Sequence, residues 1–164
     1  MSAAAPVRAF VGLGSNLGDP RDALARAFEA LAGIPDTVLL RRSALYRTPP
    51  WGLLAQPDFI NAVAELATEL DAQTLLAHLR RIEHDAGRQR SERWGPRSLD
   101  LDLLLHGDTR VDTPDLQLPH PRMHERAFVL VPLADLAPAL ELPSHGRVAD
   151  VLANLDRDGI EAVP

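Results

Sequence analysis

Apolar and polar positions along the chain follow two periods, and the switches between them mark out strands and helices. Val7 to Val11 is a short apolar run of strand type ahead of a glycine-rich segment, Gly12 to Gly18. Asp19 stands as an N-cap, with Pro20 at the first helical position and Asp22 completing a capping-box-like pattern. The predicted helix carries Leu24, Ala27, Phe28 and Leu31 on one stripe and stops at Gly33. Val38 to Tyr46 reads as a second strand, ended by the rigid pair Pro49 and Pro50. Phe59 to Leu66 alternates as a third strand, with Ile60, Ala62, Ala64 and Leu66 on one face and Phe59, Asn61, Val63 and Glu65 on the other. Asp71 caps a second helix with the stripe Leu75, Leu76, Leu79 and Ile82, and Gly87 is its stop. Leu99 to Leu105 is a fourth strand, and Gly107 and Asp108 turn the chain toward Val111. A helical pattern returns after His120 and Pro121 through Phe128 and Leu133, and a last short helix covers Val148 to Leu155.

Strands separated by helices, with hairpin-like neighbours, predict an α+β sandwich with a mostly antiparallel sheet and helices packed against it. At 164 residues the chain fits one domain, read as a flexible tail over residues 1–6 and a single domain over 7–164. Cysteine is absent, which removes disulfides, thiolate nucleophiles and thiolate metal sites and suits a reducing compartment. No basic segment precedes a long apolar stretch and no 18-residue uncharged run occurs. Secretion and membrane spanning are therefore not expected, and a cytoplasmic location is. The net charge of −6 argues against general nucleic-acid binding. All 17 basic residues are arginine, and Arg80, Arg81, Arg88, Arg90, Arg93 and Arg97 cluster in one stretch. The arginine fork suits phosphate oxygens.

Asp100 and Asp102 are the most informative residues. In a strand, positions i and i+2 share a face, with Cα atoms roughly 6.6 Å apart. Leu99, Leu101, Leu103 and Leu105 then enter the core while both carboxylates leave together on the other side. Such a pair converges on one or two Mg²⁺ or Mn²⁺ ions, because oxygen ligands without cysteine favour hard cations. An ordinary solvated strand face is the alternative. Aspartate is disfavoured inside strands, and the adjoining arginines suit a polyphosphate, so the cation site is preferred. His124 reads as a surface or helix-cap residue, and His120 as a donor to phosphate. Gly12 to Gly18 has neither GxGxxG spacing nor a P-loop ending. It reads as architecture, with Ser15 and Asn16 organising a turn. Arg88 and Arg90 fall in a polar loop that on residues alone reads first as merely exposed, the alternative being a loop that orders around phosphate.

The segment Arg93–Asp102 (RWGPRSLDLD) strongly resembles the signature of the 6-hydroxymethyl-7,8-dihydropterin pyrophosphokinase family. Gly14–Asn16, Tyr46–Pro50, Phe59–Asn61, Arg81–Glu83 and His120–Phe128 resemble further family landmarks in the same order. The resemblance implies a ferredoxin-like core and a monomeric ATP-dependent diphosphokinase of folate biosynthesis. Such an enzyme transfers diphosphate from ATP to the hydroxymethyl group of the dihydropterin and releases AMP. By position, the resemblance makes Asp100 and Asp102 ligands of two Mg²⁺ ions. Arg97, His120 and Arg126 become contacts to ATP phosphates, and Arg80 and Glu83 neighbours of the nucleotide. Arg88 and Arg90 belong to a catalytic loop, with Trp94 as its lid residue. Asn61 and the backbone near Thr48 would read the pterin edge, Phe59 and Phe128 would sandwich its ring, and Tyr46, Pro49 and Trp51 would shape the surroundings. Two positions depart from the common pattern: tyrosine is frequent in the family where this chain has Phe59, and glutamine where it has Arg80.

Two other classes stay open on residues alone. An RNA-binding module of similar fold needs sheet aromatics and positive charge, and this chain has few aromatics. A regulatory domain that holds Mg-ATP without chemistry would differ by releasing no AMP when offered the pterin alcohol.

Overall fold

The computed structural model describes residues 5–49, 57–87 and 99–164. Strand β1 (Val7–Ser15) leads into helix α1 (Pro20–Ala32), then β2 (Thr37–Arg42), β3 (Leu45–Thr48) and β4 (Phe59–Thr68). Helix α2 (Ala72–Asp85), β5 (Asp100–His106) and a small hairpin of β6 (Val111–Asp112) and β7 (Gln117–Leu118) follow. A 3₁₀ turn (Met123–Glu125) then leads into α3 (Ala127–Leu136). The chain closes with a second hairpin, β8 (Glu141–Leu142) and β9 (Gly146–Arg147), then α4 (Val148–Ala153) and β10 (Glu161–Val163). No helix among the described residues is long and apolar enough to cross a membrane.

Local signals set the helix starts. The Asp19 carboxylate accepts the Asp22 N–H at 3.2 Å and the Asp71 carboxylate accepts the Thr74 N–H at 2.8 Å, each satisfying an orphan donor of a first turn. Both caps were legible in the sequence. The Asp22 side chain pairs with Arg26 one turn on, at 2.9 Å.

All pairings among the described residues are antiparallel, and the main sheet runs β10-β3-β4-β1-β5, with β2 also on β4. Helices cover both faces. Against α1 and α2 lie Val11, Leu13, Leu66 and Leu101. Against α3 and α4 lie Phe10, Val63 and Leu104. This second cover explains why β4 is buried along both faces despite its polar alternate positions, Asn61 and Glu65. The buried Glu65 carboxylate is held by Arg8 at 2.6 Å and by Arg41 at 2.7 Å.

Four expectations are corrected. β1 does not stop at Val11 but continues through Gly12, Leu13, Gly14 and Ser15, because β4 and β5 supply ladder partners on both sides. The stretch from Val38 to Tyr46 is two strands, broken at Ser43, whose N–H donates to Val63 O and whose hydroxyl accepts the Val63 N–H at 2.9 Å. Leu105 does not join the face of Leu101 and Leu103. The ladder passes from Val11↔Leu103 to Phe10↔Leu105, leaving Leu104 extra, and this bulge turns Leu105 into the α3–α4 core. Ser15 organises no turn: its hydroxyl is buried without a hydrogen-bond partner among the described residues, while Asn16 donates to Pro57 O at 3.0 Å.

Candidate active site

The register of the sheet assembles the site. Tyr46 on β3, Asn61 on β4, Gly14 on β1 and Asp100 on β5 are successive cross-strand partners. Val63, Gly12 and Asp102 form the next row. Residues directly opposite one another share a face, so both aspartates emerge on the side that α3 covers, half-buried. The paired glycines leave a bare strip of backbone beside them. A Cβ on Gly12 would meet nothing closer than Leu104 at 3.7 Å, whereas one on Gly14 would lie 2.7 Å from Asn61 Oδ1. Asn61 and Asp100 stand two strands apart across that strip, roughly 9–10 Å.

At the strip's far end, Asn61 is 7% exposed and its Nδ2 donates to Thr48 Oγ1 at 2.7 Å. Thr48 faces Phe59 across β3 and β4. Thr48, Phe59 and Asn61, all expected at one subsite, thus come together on the face of the aspartates. Phe128 lies at the start of α3, half-buried, with the Arg126 guanidinium 5.7 Å from its ring centre. The exposed Pro49 lies where a side chain on Gly159 would reach it at 3.2 Å. Tyr46 donates to Asp135 on α3 at 2.7 Å, and burial followed by this neighbouring carboxylate pushes the phenol up to about 12.

On the other side of the aspartates lies the segment that follows β7. The His120 N–H donates to Leu104 O at 2.9 Å, pinning this residue to β5. His120 Nδ1 accepts the Arg122 N–H at 3.2 Å, which leaves Nε2 as the protonated nitrogen of a neutral ring. Burial holds its pKa below the ordinary value, Arg126 and Arg122 push the same way, and Asp102 opposes them. A cleft of about 180 Å³ runs here, lined among others by Arg80, Asp102, Leu103, Gln117 and His120. His124, expected as a surface or cap residue, stacks on His145 with ring centres 3.7 Å apart.

Arg80 and Glu83 reach β5 from α2. Glu83 is 2% exposed; its Oε2 accepts the Leu101 N–H at 2.8 Å and its Oε1 accepts from Arg80 at 2.8 Å. The same Arg80 nitrogen donates to Leu101 O at 2.9 Å. Trp51, Arg88, Arg90, Trp94 and Arg97 lie outside the described residues. Leu103 and Gln117 were not singled out as site residues from sequence, and Gly12 and Gly14 were read only as architecture beside a pocket wall. The signal for the glycines was available: Gly-x-Gly on one strand has the same period as Asp-x-Asp on its partner.

Comparisons with known proteins identify the family. A family model described as 7,8-dihydro-6-hydroxymethylpterin-pyrophosphokinase matches residues 10–138. The 2-amino-4-hydroxy-6-hydroxymethyldihydropteridine pyrophosphokinase of Pseudomonas aeruginosa is 48% identical over 157 residues, covering 96% of this chain and 97% of that protein. The protein of the same name from Bacillus subtilis is 41% identical over 152 residues, covering 93% and 87%. Among solved structures, Plasmodium falciparum HPPK-DHPS with pteroate superposes with a TM-score of 0.73 at 13% identity. That match covers 93% of this chain but only 43% of the longer protein, and it speaks for the fold alone. With most of its length matched by the family model, and two relatives aligned nearly end to end, the chain belongs to the 7,8-dihydro-6-hydroxymethylpterin-pyrophosphokinase family.

Proposed function

We propose that this chain transfers the diphosphoryl group of ATP to the hydroxymethyl oxygen of 6-hydroxymethyl-7,8-dihydropterin, releasing AMP. The observation that carries the reading is the bare glycine strip joining Asp100 and Asp102 to Asn61 on one face of the sheet. A bicyclic pterin with its amide edge at Asn61 spans such a distance and brings its hydroxymethyl arm to the carboxylates.

The donor set fits Mg²⁺. Two half-buried carboxylates share a face, and among the described residues no group of three or more acidic, histidine or cysteine side chains is placed to hold an ion. Mg²⁺ is commonly held this way, by one or two carboxylates with substrate phosphates and water completing its octahedron. Two Mg²⁺ ions on Asp100 and Asp102 would supply charge neutralisation and Lewis acidity for the triphosphate.

The chain's own residues supply the rest. The neutral His120 offers Nε2–H to a phosphate oxygen without placing a second charge beside Arg126. Arg126 and Arg97 follow the charge that develops on the transferring group. Thr48 fixes the amide plane of Asn61, so that its remaining atoms present one pattern to the pterin edge. Phe59 and Phe128 offer ring faces, which suffice for stacking. In the transfer, the hydroxymethyl oxygen forms a bond to the β-phosphorus while the bond from that phosphorus to the α–β bridging oxygen breaks. AMP leaves in line and the alcohol gives up its proton. Arg88, Arg90 and Trp94 are read as the loop that excludes water during this step.

The strand order β5-β1-β4-β2, with α1 after β1 and α2 after β4, supports reading the core as ferredoxin-like, extended by β3, β10 and the second helical layer. The reading includes a monomer acting in the cytoplasm. Product analysis by ³¹P NMR after mixing Mg-ATP with the pterin alcohol tests the function: AMP and a pterin diphosphate are expected. ADP with a pterin monophosphate would overturn it. AMP released without the alcohol would point to an ATP hydrolase, and no AMP even with the alcohol to a domain that only holds Mg-ATP.

A further inference from the structure

We propose that Arg80 and Glu83 form a positioning clamp that sets the aim of Asp100 and Asp102 by gripping the backbone of Leu101 between them. This rests on the reading of the two aspartates as cation ligands, and it gives Glu83 a task other than touching the nucleotide.

β5 lies at the end of the main sheet and pairs only with β1 among the described residues. In an antiparallel ladder, successive residues turn their N–H and C=O alternately toward and away from the neighbouring strand. Leu101 turns both groups away from β1, because its N–H meets Glu83 and its C=O meets Arg80. Asp100 and Asp102 lie opposite Gly14 and Gly12 on β1. The backbone linking the aspartates is thus held from both sides, by β1 at each aspartate and by the clamp at the residue between them. Side-chain direction in a strand follows from backbone torsion, so the clamp fixes the angle between the two carboxylate stems.

The clamp's composition suits this task. An apolar contact could press on Leu101, but it could not fix the N–H and C=O directions. A lone carboxylate would add negative charge behind a cation site that needs its charge in front. Arg80 neutralises Glu83 at 2.8 Å, and the carboxylate sits 2% exposed on a helix rather than a loop. Arg80 also lines the cleft that holds Asp102 and His120. An occupant of that cleft therefore meets the residue that holds the metal-bearing strand. Groups that orient ligating carboxylates typically change metal affinity by 10–100-fold when removed.

The test is a Mn²⁺ titration followed by EPR, with a non-transferable ATP analogue present, in wild type, Glu83→Ala, Glu83→Gln and Arg80→Ala, each also scored for thermal unfolding. Glu83→Ala is expected to weaken protein-bound Mn²⁺ by ~10-fold or more. Glu83→Gln, which keeps an acceptor for the Leu101 N–H, should restore part of the loss. Arg80→Ala is expected to weaken Mn²⁺ several-fold and provides the reading if Glu83→Ala does not fold. A lowered unfolding midpoint with unchanged Mn²⁺ affinity in the folded variants would overturn the clamp and leave only protection of a sheet edge. The titration involves no turnover, so it stands even if product analysis rejects the proposed reaction. Wild type that holds no Mn²⁺ beyond the analogue's own share would instead refute the reading of the aspartates.

Discussion

Gly14 offers a sharp test of how the two halves of the site fit together. In Gly14→Ala the new Cβ would lie 2.7 Å from Asn61 Oδ1, where ordinary contacts begin near 3.4 Å, so the amide must move by more than half an ångström. Asn61 has little room to yield: it is 7% exposed and bonded to Thr48 at 2.7 Å. Forcing its side chain off a rotamer costs about 0.5–1.5 kcal/mol, and losing the Thr48 bond about 1 kcal/mol. The sum of ~1.5–2.5 kcal/mol corresponds to roughly 10- to 70-fold in pterin affinity. Calorimetric titration of the pterin alcohol, with Mg²⁺ and a non-transferable ATP analogue present, measures it directly, and affinity for the analogue itself should be unchanged. Gly12→Ala is the control, on the same strand and face, where the new methyl meets only Leu104 at an ordinary 3.7 Å. Its stability should stay within about 0.5 kcal/mol of wild type, and any loss of pterin affinity it shows measures the methyl's intrusion on the strip, apart from displacement of Asn61. A Gly14→Ala protein that binds the pterin as wild type does, with an unaltered unfolding midpoint, would refute the placement of Asn61 at the pterin edge.

Two further predictions follow from the packing. Tyr46 is the chain's single tyrosine, so the rise in absorbance at 295 nm with pH reports it alone, the two tryptophans adding only a constant background. Its folded pKa of about 12 lies above the ordinary 10, so the neutral phenol's contribution to stability is complete below pH 10 and is lost as pH rises from 10 toward 12. A midpoint near 10 in the folded protein would contradict the contact with Asp135, and Asp135→Asn should lower the midpoint below the wild-type value. Glu65→Gln keeps the volume of a buried group but forfeits two charge-assisted contacts, to Arg8 and Arg41. Calorimetry should show a loss of about 2 kcal/mol, or roughly 4–8 °C in Tm. No change would mean that both arginines are satisfied by water.

What the sequence reveals and what it hides divide along a physical line. Both large helices were legible because capping and amphipathic periodicity are local: Asp19, Pro20, Gly33 and Asp71 act on their own neighbours. The shared face of Asp100 and Asp102 was legible because the strand period is fixed. The continuation of β1 was hidden, since Gly12 and Gly14 have no strand propensity of their own and are held there by β4 and β5. The break at Ser43 and the bulge at Leu104 depend on partners far away in sequence, Val63 in one case and β1 in the other. The second helical layer was hidden for a related reason: Asn61 and Glu65 look like a solvated face until Thr48, Arg8 and Arg41 are seen to satisfy them. At the site, the resemblance placed Glu83 near the nucleotide, and only the fold brings its carboxylate to the Leu101 backbone.

The proposed transfer requires Asp100 and Asp102 to hold the cations of a triphosphate. Its most direct test is single-turnover transfer by Asp100→Asn and Asp102→Asn at saturating Mg²⁺ and ATP, with thermal unfolding confirming that each variant is folded. Each substitution keeps the shape and removes the charge, so the rate of pterin diphosphate formation is expected to fall by at least ~10². Transfer within a few-fold of wild type by either folded variant would contradict the account.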